Sequence, residues 1–469
     1  MTLPAIAPDS ARDALERAFH RAAGSPFIGG NRLELLIDGP ETYAAMYAMI
    51  ERATRRIHLE NYIIRGDATG EAFASRLIER ARSGVKVRVL YDWIGSFTTP
   101  HRFWRRLRDA GIAVDVFGPF SFADPLLAVA RDHRKLLVVD GQQAVMGGLC
   151  IGDEWTGVPA KHRLPWRDTA VAIDGPAARY LDVTFERAWT FNGGTPIDDV
   201  RELDDPGSAG DCDVRVVATE PGRERTFRVL DLLLGTSASR IWVTEAYLSA
   251  PQRMYQAFKD AARDGADVRL LLPGSSDIRA VRNLSRIGYR GLLRAGVRIW
   301  EWRGPMLHAK TMVADRRWVR IGSSNLNPSS LLANWELDVI AYGEGFAARM
   351  EHQFLSDLEF SSEVLLRPRR LPSRMGRNVF PALSRQVPSQ DSEEHRPSIR
   401  ERRTRAIVIL GSVVQGARAA IFGPLALLLL AVAVLFAFFP RPMAWISAAL
   451  SLVTGGALAV RAIGYRARG

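Results

Sequence analysis

His133-Arg134-Lys135-Leu136-Leu137-Val138-Val139-Asp140 and His308-Ala309-Lys310-Thr311-Met312-Val313-Ala314-Asp315 are two copies of one pattern, His-x-Lys-x4-Asp. Each runs, at the same distance, into a pair of small residues, Gly147-Gly148 and Gly322-Ser323. With eight His in 469 residues and Lys rarer still, chance supplies on the order of 0.01 such copies. Histidine and lysine two residues apart point to the same face of a strand. Leu136–Val139 and Thr311–Ala314 read as buried strand interiors that would hold them at a set separation. Two such strands imply two half-sites of one centre, each offering an imidazole, an ammonium and a carboxylate.

The duplication reaches beyond the motif. Arg56-Ile57-His58-Leu59-Glu60-Asn61-Tyr62 matches Arg240-Ile241-Trp242-Val243-Thr244-Glu245-Ala246-Tyr247 with a one-residue gap. Gly84-Val85-Lys86-Val87-Arg88-Val89-Leu90 matches Gly265-Ala266-Asp267-Val268-Arg269-Leu270-Leu271, a helix-ending glycine leading into a strand. Ala110-Gly111-Ile112 matches Ala295-Gly296-Val297, and Asp168 and Glu336 follow the two motif strands. Strands alternating with helices in the same order twice predict an α/β layered protein of two homologous lobes, residues 33–192 and 213–358. A linker, 193–212, joins them. Residues 1–32 precede them, with an amphipathic helix over Ala11–Ala23 expected to pack on the body. Asp9, Asp13 and Glu16 and the lack of a long apolar core argue against a signal peptide there.

The net charge is +12, nearly all of it from arginine, which calls for an anionic partner, either nucleic acid or an acidic membrane surface. The lysines are Lys86, Lys135, Lys161, Lys259 and Lys310, so two of the few are motif lysines. Cys150 and Cys212 have no zinc-type spacing, which excludes a disulfide framework and gives no metal site. Residues 359–405 read as a basic linker rich in Arg, Pro and Ser. Residues 406–469 read as a membrane region with two transmembrane helices. Ile421–Phe439 and Met443–Val460 carry no charge and turn at Pro440-Arg441-Pro442, each just long enough against the roughly 20 apolar residues a span needs. Arginines crowd both outer flanks, Arg400 to Arg418 and Arg461 to Arg468, which places both ends, and the body, in the cytoplasm.

Two imidazoles facing a phosphodiester can divide its chemistry. One attacks phosphorus; the other protonates the leaving oxygen and then deprotonates the acceptor. The lysines neutralise the phosphoryl oxygens as charge builds. This scheme needs no cofactor.

These stretches resemble the phospholipase D superfamily, whose pattern is His-x-Lys-x4-Asp-x6-Gly-[Gly/Ser]-x-Asn in each of two lobes, and within it the bacterial cardiolipin synthases. The resemblance rests on Leu59-Glu60-Asn61-Tyr62, Tyr91-Asp92-Trp93-Ile94-Gly95-Ser96, Gly147–Trp155, Pro165–Thr169, Leu307–Lys310 and Gly322–Pro328. It implies two phospholipase D-like α/β/α lobes forming one pseudo-twofold active site, with the C-terminal hairpin appended. It implies a phosphatidyltransferase that makes cardiolipin from phosphatidylglycerol through a phosphohistidine, at the bacterial inner membrane with phospholipid and an anionic surface as partners. His133 is then the nucleophile and His308 the acid/base. Lys135 and Lys310 hold phosphate, and Ser323 and Asn325, with Gly148 at the equivalent first-lobe position, support it. Asp168 and Glu336 orient the histidines, and Asp140 and Asp315 complete the motifs. Cys150 stands where the first motif's Asn belongs, and a thiol is a poor substitute for an amide. Alternatives are a phospholipase D that uses water, a synthase with another acceptor, and, from another class, a membrane-anchored binding or scaffold protein. A nuclease is disfavoured by the apolar C-terminal runs, and no nucleic-acid partner is expected.

Overall fold

Among the described residues, the first half of the chain supplies seven strands: β1 (Ile28–Ile37), β2 (Arg56–Asn61), β3 (Lys86–Asp92), β4 (Ala113–Phe117), β5 (Lys135–Val139), β6 (Gln143–Gly147) and β7 (Thr169–Asp174). The second supplies β8 (Cys212–Thr219), β9 (Arg240–Thr244), β10 (Asp267–Pro273), β11 (Arg298–Trp302), β12 (Thr311–Ala314), β13 (Trp318–Gly322), β14 (Glu336–Tyr342) and β15 (Ser361–Glu363). The computed structural model describes residues 8–119, 130–158, 163–196, 207–277 and 279–366. All of these belong to one unit, Met1–Leu371. The expected transmembrane hairpin and most of the expected linker lie outside the described residues. Among the described residues no helix is long and apolar enough to cross a membrane.

The strands form one sheet in the order β15-β11-β10-β9-β12-β13-β14-β8-β1-β7-β6-β5-β2-β3-β4. The antiparallel pair β1/β8 lies at its centre, with Ile28 opposite Val214 and Asn31 opposite Cys212. Reading outward from that pair gives 1-7-6-5-2-3-4 on one side and 8-14-13-12-9-10-11 on the other. The halves are therefore related by a pseudo-twofold axis through β1/β8, and the two lobes share one continuous sheet. β1 begins at Ile28, ahead of the expected boundary at 33, because its first residues pair with β8. Residues 361–363, expected in the linker, form edge strand β15 on β11. Ser-Ser-Glu has no apolar alternation, so only the pairing reveals that strand.

Alternation along the strands sorts side chains onto two faces. Leu136 and Val138 of β5 join one cluster, Leu137 and Val139 another. The first cluster crosses both lobes. It packs α6 (Pro176–Phe191) through Leu181 and Phe185, and α10 (Glu344–Glu359) through Phe346 and Met350, against β7, β8 and β14. On the other face α2 (Asp38–Arg52), α3 (Ala68–Arg82) and α4 (His101–Asp109) cover the first lobe with Tyr43, Phe73 and Trp104. There α3 starts at Asp67, whose carboxylate accepts from Gly70 N at 3.0 Å. A four-residue helix, α5 (Asp153–Thr156), buries Trp155. The second lobe is covered by α1 (Pro8–Ala23), α7 (Arg225–Thr236), α8 (Gln252–Arg263) and α9 (Arg279–Arg294). Thus α1 packs on the body: Phe19 is buried and stacks on Trp318 at 5.2 Å, and Glu16 pairs with the buried Arg215. Burial of a phenylalanine of this kind contributes roughly 1.5–3 kcal/mol.

Candidate active site

Each motif strand is entered through a short bridge to the other lobe. His133 N donates to Trp335 O at 2.9 Å and Trp335 N to Arg131 O at 2.8 Å. The mirror image is Arg167 N to Met306 O at 2.9 Å and His308 N to Arg167 O at 2.7 Å. The residue before each motif histidine, Asp132 or Leu307, thus lies beside the residue before the other lobe's carboxylate, Trp335 or Arg167. The consequence is a crossed pairing. His133 Nδ1 lies 3.0 Å from Glu336 Oε2, and His308 Nδ1 lies 2.7 Å from Asp168 Oδ2. Arg167 ties the lobes further with two bonds to the Asp357 carboxylate, at 2.9 and 2.8 Å.

Both carboxylates are fully buried. Burial alone would raise their pKa values, but the facing imidazole and nearby lysines hold Asp168 and Glu336 below the usual carboxylate range. An ionised carboxylate can only accept a hydrogen bond, so each Nδ1 carries the proton. Each Nε2 then keeps its lone pair for the site. Burial lowers both histidines, to about 4 for His308, where Lys310 adds to the effect and Asp168 opposes it. His133 is lowered in the same direction, with Glu336 pulling against burial.

The carboxylates are themselves held, in different ways. Ser323, expected to support phosphate, donates its Oγ to Glu336 Oε2 at 2.5 Å and accepts from Leu337 N at 2.9 Å. At the equivalent Gly148 an added Cβ would sit 2.2 Å from Asp168 Oδ1, leaving no room for a side chain. There the indole of Trp155 donates to Asp168 Oδ2 at 3.0 Å instead. Trp155 and Trp166 also flank the His308 ring at 5.6 and 5.7 Å.

Lys135 and Lys310 are buried, and each ammonium donates to the carbonyl of its own motif histidine. Each also lies over a tyrosine ring, Tyr62 at 5.1 Å and Tyr247 at 5.9 Å. The same rings meet His133 and His308 edge-on at 4.8 and 6.0 Å. Burial lowers Lys310 to about 8, with Asp168 and Glu245 opposing. The lobes differ around these lysines. Asn61 pairs in register with Lys135, whereas the same place beside Lys310 belongs to Glu245. Glu245 is fully buried, is raised to about 7 by that burial, and has an Oε2 without a hydrogen-bond partner. Asn325 Oδ1 is likewise unpartnered. Cys150 is buried at the equivalent first-lobe position, where burial pushes its thiol up and both motif lysines act on it.

Asp140 and Asp315 do not join this group. The four residues between each motif lysine and its Asp run as an extended strand and carry the carboxylate roughly 17 Å from that lysine. There Asp140 accepts from the backbone N–H of Thr54, Arg55 and Arg56, each at 2.8 Å. Asp315 does the same with Ala238, Ser239 and Arg240, at 2.9, 2.8 and 3.0 Å. Both have positive φ, 54° and 48°, and both cap the chain entering the neighbouring strand, β2 or β9. Asp168, Glu336, both motif lysines and Ser323 gather around the two imidazoles, with Gly148 against Asp168. Tyr62, Tyr247, Trp155 and Glu245 were missed as site residues. The tyrosines were legible in the repeat, since they end its matched segments; Glu245 lies inside one of those segments and Trp155 ends the stretch Gly147–Trp155, but neither position singles out a role.

The family described as "Cardiolipin synthase, PLD-like domain" matches residues 46–189 and 230–358. A cardiolipin synthase of Alkalihalophilus pseudofirmus is 34% identical over 357 residues, covering 75% of this chain and 70% of that one. Cardiolipin synthase A of Pseudomonas aeruginosa is 33% identical over 377 residues, covering 78% and 76%. Among solved structures, phosphatidylserine synthase of Haemophilus influenzae superposes with a TM-score of 0.60 at 14% identity, over 75% of this chain and 92% of that one, a likeness of fold.

Proposed function

Because the chain belongs to the cardiolipin synthase family with its phospholipase D-like fold, we propose that it is a phosphatidyltransferase that makes cardiolipin from two molecules of phosphatidylglycerol. The observation that carries the reading is the crossed pair of imidazole–carboxylate couples, each beside a buried lysine.

His133 is the nucleophile. Its Nε2 attacks phosphorus of the donor, and the P–O bond to the glycerol headgroup breaks as His308 delivers a proton to the leaving oxygen. The products are phosphatidyl-His133 and free glycerol. A hydroxyl of the second phosphatidylglycerol then loses its proton to His308 and attacks phosphorus, which releases cardiolipin and restores His133. Both imidazoles are lowered below the ordinary range, so the acid needs a reason to be protonated. The phosphodiester's negative charge supplies it, since a nearby anion raises an imidazole pKa. Glu336 and Asp168 keep the tautomer and offset the imidazolium charge as it forms. Lys135 and Lys310 face the phosphoryl oxygens. The arginine-flanked apolar runs 421–439 and 443–460 support a site at the inner membrane with the body in the cytoplasm.

The test is mass spectrometry of lipid products from purified protein given phosphatidylglycerol, alone and with phosphatidylethanolamine. Cardiolipin and glycerol in equal amounts are expected, surviving EDTA, and His133→Ala and His308→Ala each abolish them. Phosphatidic acid as the main product would make the protein a hydrolase. Full activity in either histidine variant would refute the shared centre.

A further inference from the structure

The rim of the site is built from the loops that follow β3 and β10. These strands run parallel to β2 and β9, so they end at the same edge of the sheet as Tyr62 and Tyr247. Direct bonds confirm the proximity. Asp92 Oδ2 accepts from Asp132 N, beside His133, at 3.0 Å, and Ser96 Oγ donates to Tyr62 O at 3.2 Å. In the other lobe Tyr247 Oη donates to Asp277 Oδ1 at 2.8 Å.

What these loops and the helices after them show to solvent is unusual for a polar enzyme mouth. Phe97 is 72% exposed, and Trp93 and Ile94 are each 39% exposed. They border a cavity of about 550 Å³ floored by Tyr91 and Trp104. Helix α4, which leaves this loop, exposes Arg102 and Arg105, neither in an ion pair among the described residues. Its one acidic residue, Asp109, is at its far end. The pseudo-twofold mate, α9, contains no acidic residue, and its Ile287 is 76% exposed with Arg290 exposed one turn on. Scattered exposed apolar residues are ordinary. Here they recur on both sides of one mouth, each beside basic charge with no ion pair among the described residues.

We propose that this rim is a docking surface for an anionic phospholipid bilayer. Phe97, Ile94 and Trp93 enter the interface on one side of the mouth and Ile287 on the other, while Arg102, Arg105 and Arg290 lie against the headgroups. Apolar residues backed by arginine are the pattern by which a protein surface settles into the headgroup region, and basic residues near an anionic surface add to the attraction. The proposal rests on the phosphatidyltransferase reading and extends it. A docked rim brings the headgroup phosphodiester to the histidines while its acyl chains stay in the bilayer, independently of any C-terminal anchor.

The test uses the full chain. Phe97→Cys is labelled with bimane, and label on the parent's own Cys150 and Cys212 is subtracted. Vesicles of phosphatidylglycerol or of phosphatidylcholine carry a nitroxide on the upper acyl chain. The emission at position 97 should shift to the blue and be quenched on phosphatidylglycerol, and much less on phosphatidylcholine. In parallel, Arg102→Glu/Arg105→Glu should lose roughly tenfold in turnover on phosphatidylglycerol vesicles, and nothing on monomeric dihexanoyl-phosphatidylglycerol. The proposal is overturned if the label stays in water while the enzyme turns over on the same vesicles. It is equally overturned if the charge reversal leaves vesicle turnover intact or reduces both substrates alike. A parent chain inactive on both substrates would instead refute the phosphatidyltransferase reading.

Discussion

Glu336→Gln is the substitution that probes the crossed pairing most directly. Glutamine keeps the length and shape of the side chain, and its amide can still meet Ser323 Oγ, 2.5 Å from the carboxylate in the native protein. What disappears is a charge-assisted bond to His133 Nδ1, 3.0 Å away. Hydrogen bonds to charged groups are worth about 1.5–3 kcal/mol. If that interaction grows as His133 becomes cationic, its loss slows phosphoryl transfer roughly 10- to 150-fold. Glu336 also raises the His133 pKa against the effect of burial, so glutamine should lower it further. Two assays follow these effects. Single-turnover conversion of labelled phosphatidylglycerol gives the rate, and histidine ring nitrogen NMR across pH 4–8 on residues 1–366 gives the two titrations. His133 should shift down while His308, 2.7 Å from Asp168, stays in place. A shift confined to His308, or a rate loss below threefold with His133 unmoved, would refute the crossed arrangement.

Three further outcomes are expected. Cys150→Asn places an amide beside both motif lysines in a buried position, and turnover should be kept or raised; loss of activity in a protein that still melts cooperatively would give the thiol a role of its own. Asp140→Ala removes the acceptor for the backbone N–H groups of residues 54–56 and should cost about 2 kcal/mol in urea unfolding, while the Michaelis constant of the remaining folded enzyme is unchanged; a large change in that constant would place Asp140 in the site after all. His308 is held at about 4 when folded against an ordinary 6.5. The unfolded chain therefore takes up a proton that the fold refuses, so stability is fully present above pH 6.5 and is lost as pH falls toward 4. The unfolding free energy should drop more between pH 7 and 5 in the parent than in His308→Gln; identical pH slopes would count against the depressed imidazole.

The motif residues and the two-lobe α/β plan were readable from the chain because their causes are local. His133 and Lys135, and His308 and Lys310, stand two residues apart where the chain enters β5 and β12, close enough for each ammonium to reach its own histidine's carbonyl, although His133, His308 and Lys310 precede the strands on which the sequence pattern put them. The repeat shows that the plan occurs twice, and the buried runs Leu136-Leu137-Val138-Val139 and Thr311-Met312-Val313-Ala314 are strands in their respective copies. Tertiary structure decided everything that depends on the axis between the copies. Glu336 is 203 residues from His133, and Asp168 is 140 from His308. No spacing rule reveals that each carboxylate serves the other lobe's imidazole. That follows only once β1 and β8 pair antiparallel and join two sheets into one. The same placement commits Ser323 to Glu336, substitutes Trp155 where Gly148 leaves room for nothing else, and sends Asp140 and Asp315 to the far ends of their strands. Motif spacing specifies which groups travel together along a strand; which groups meet across the axis is settled by packing between segments that the chain keeps far apart.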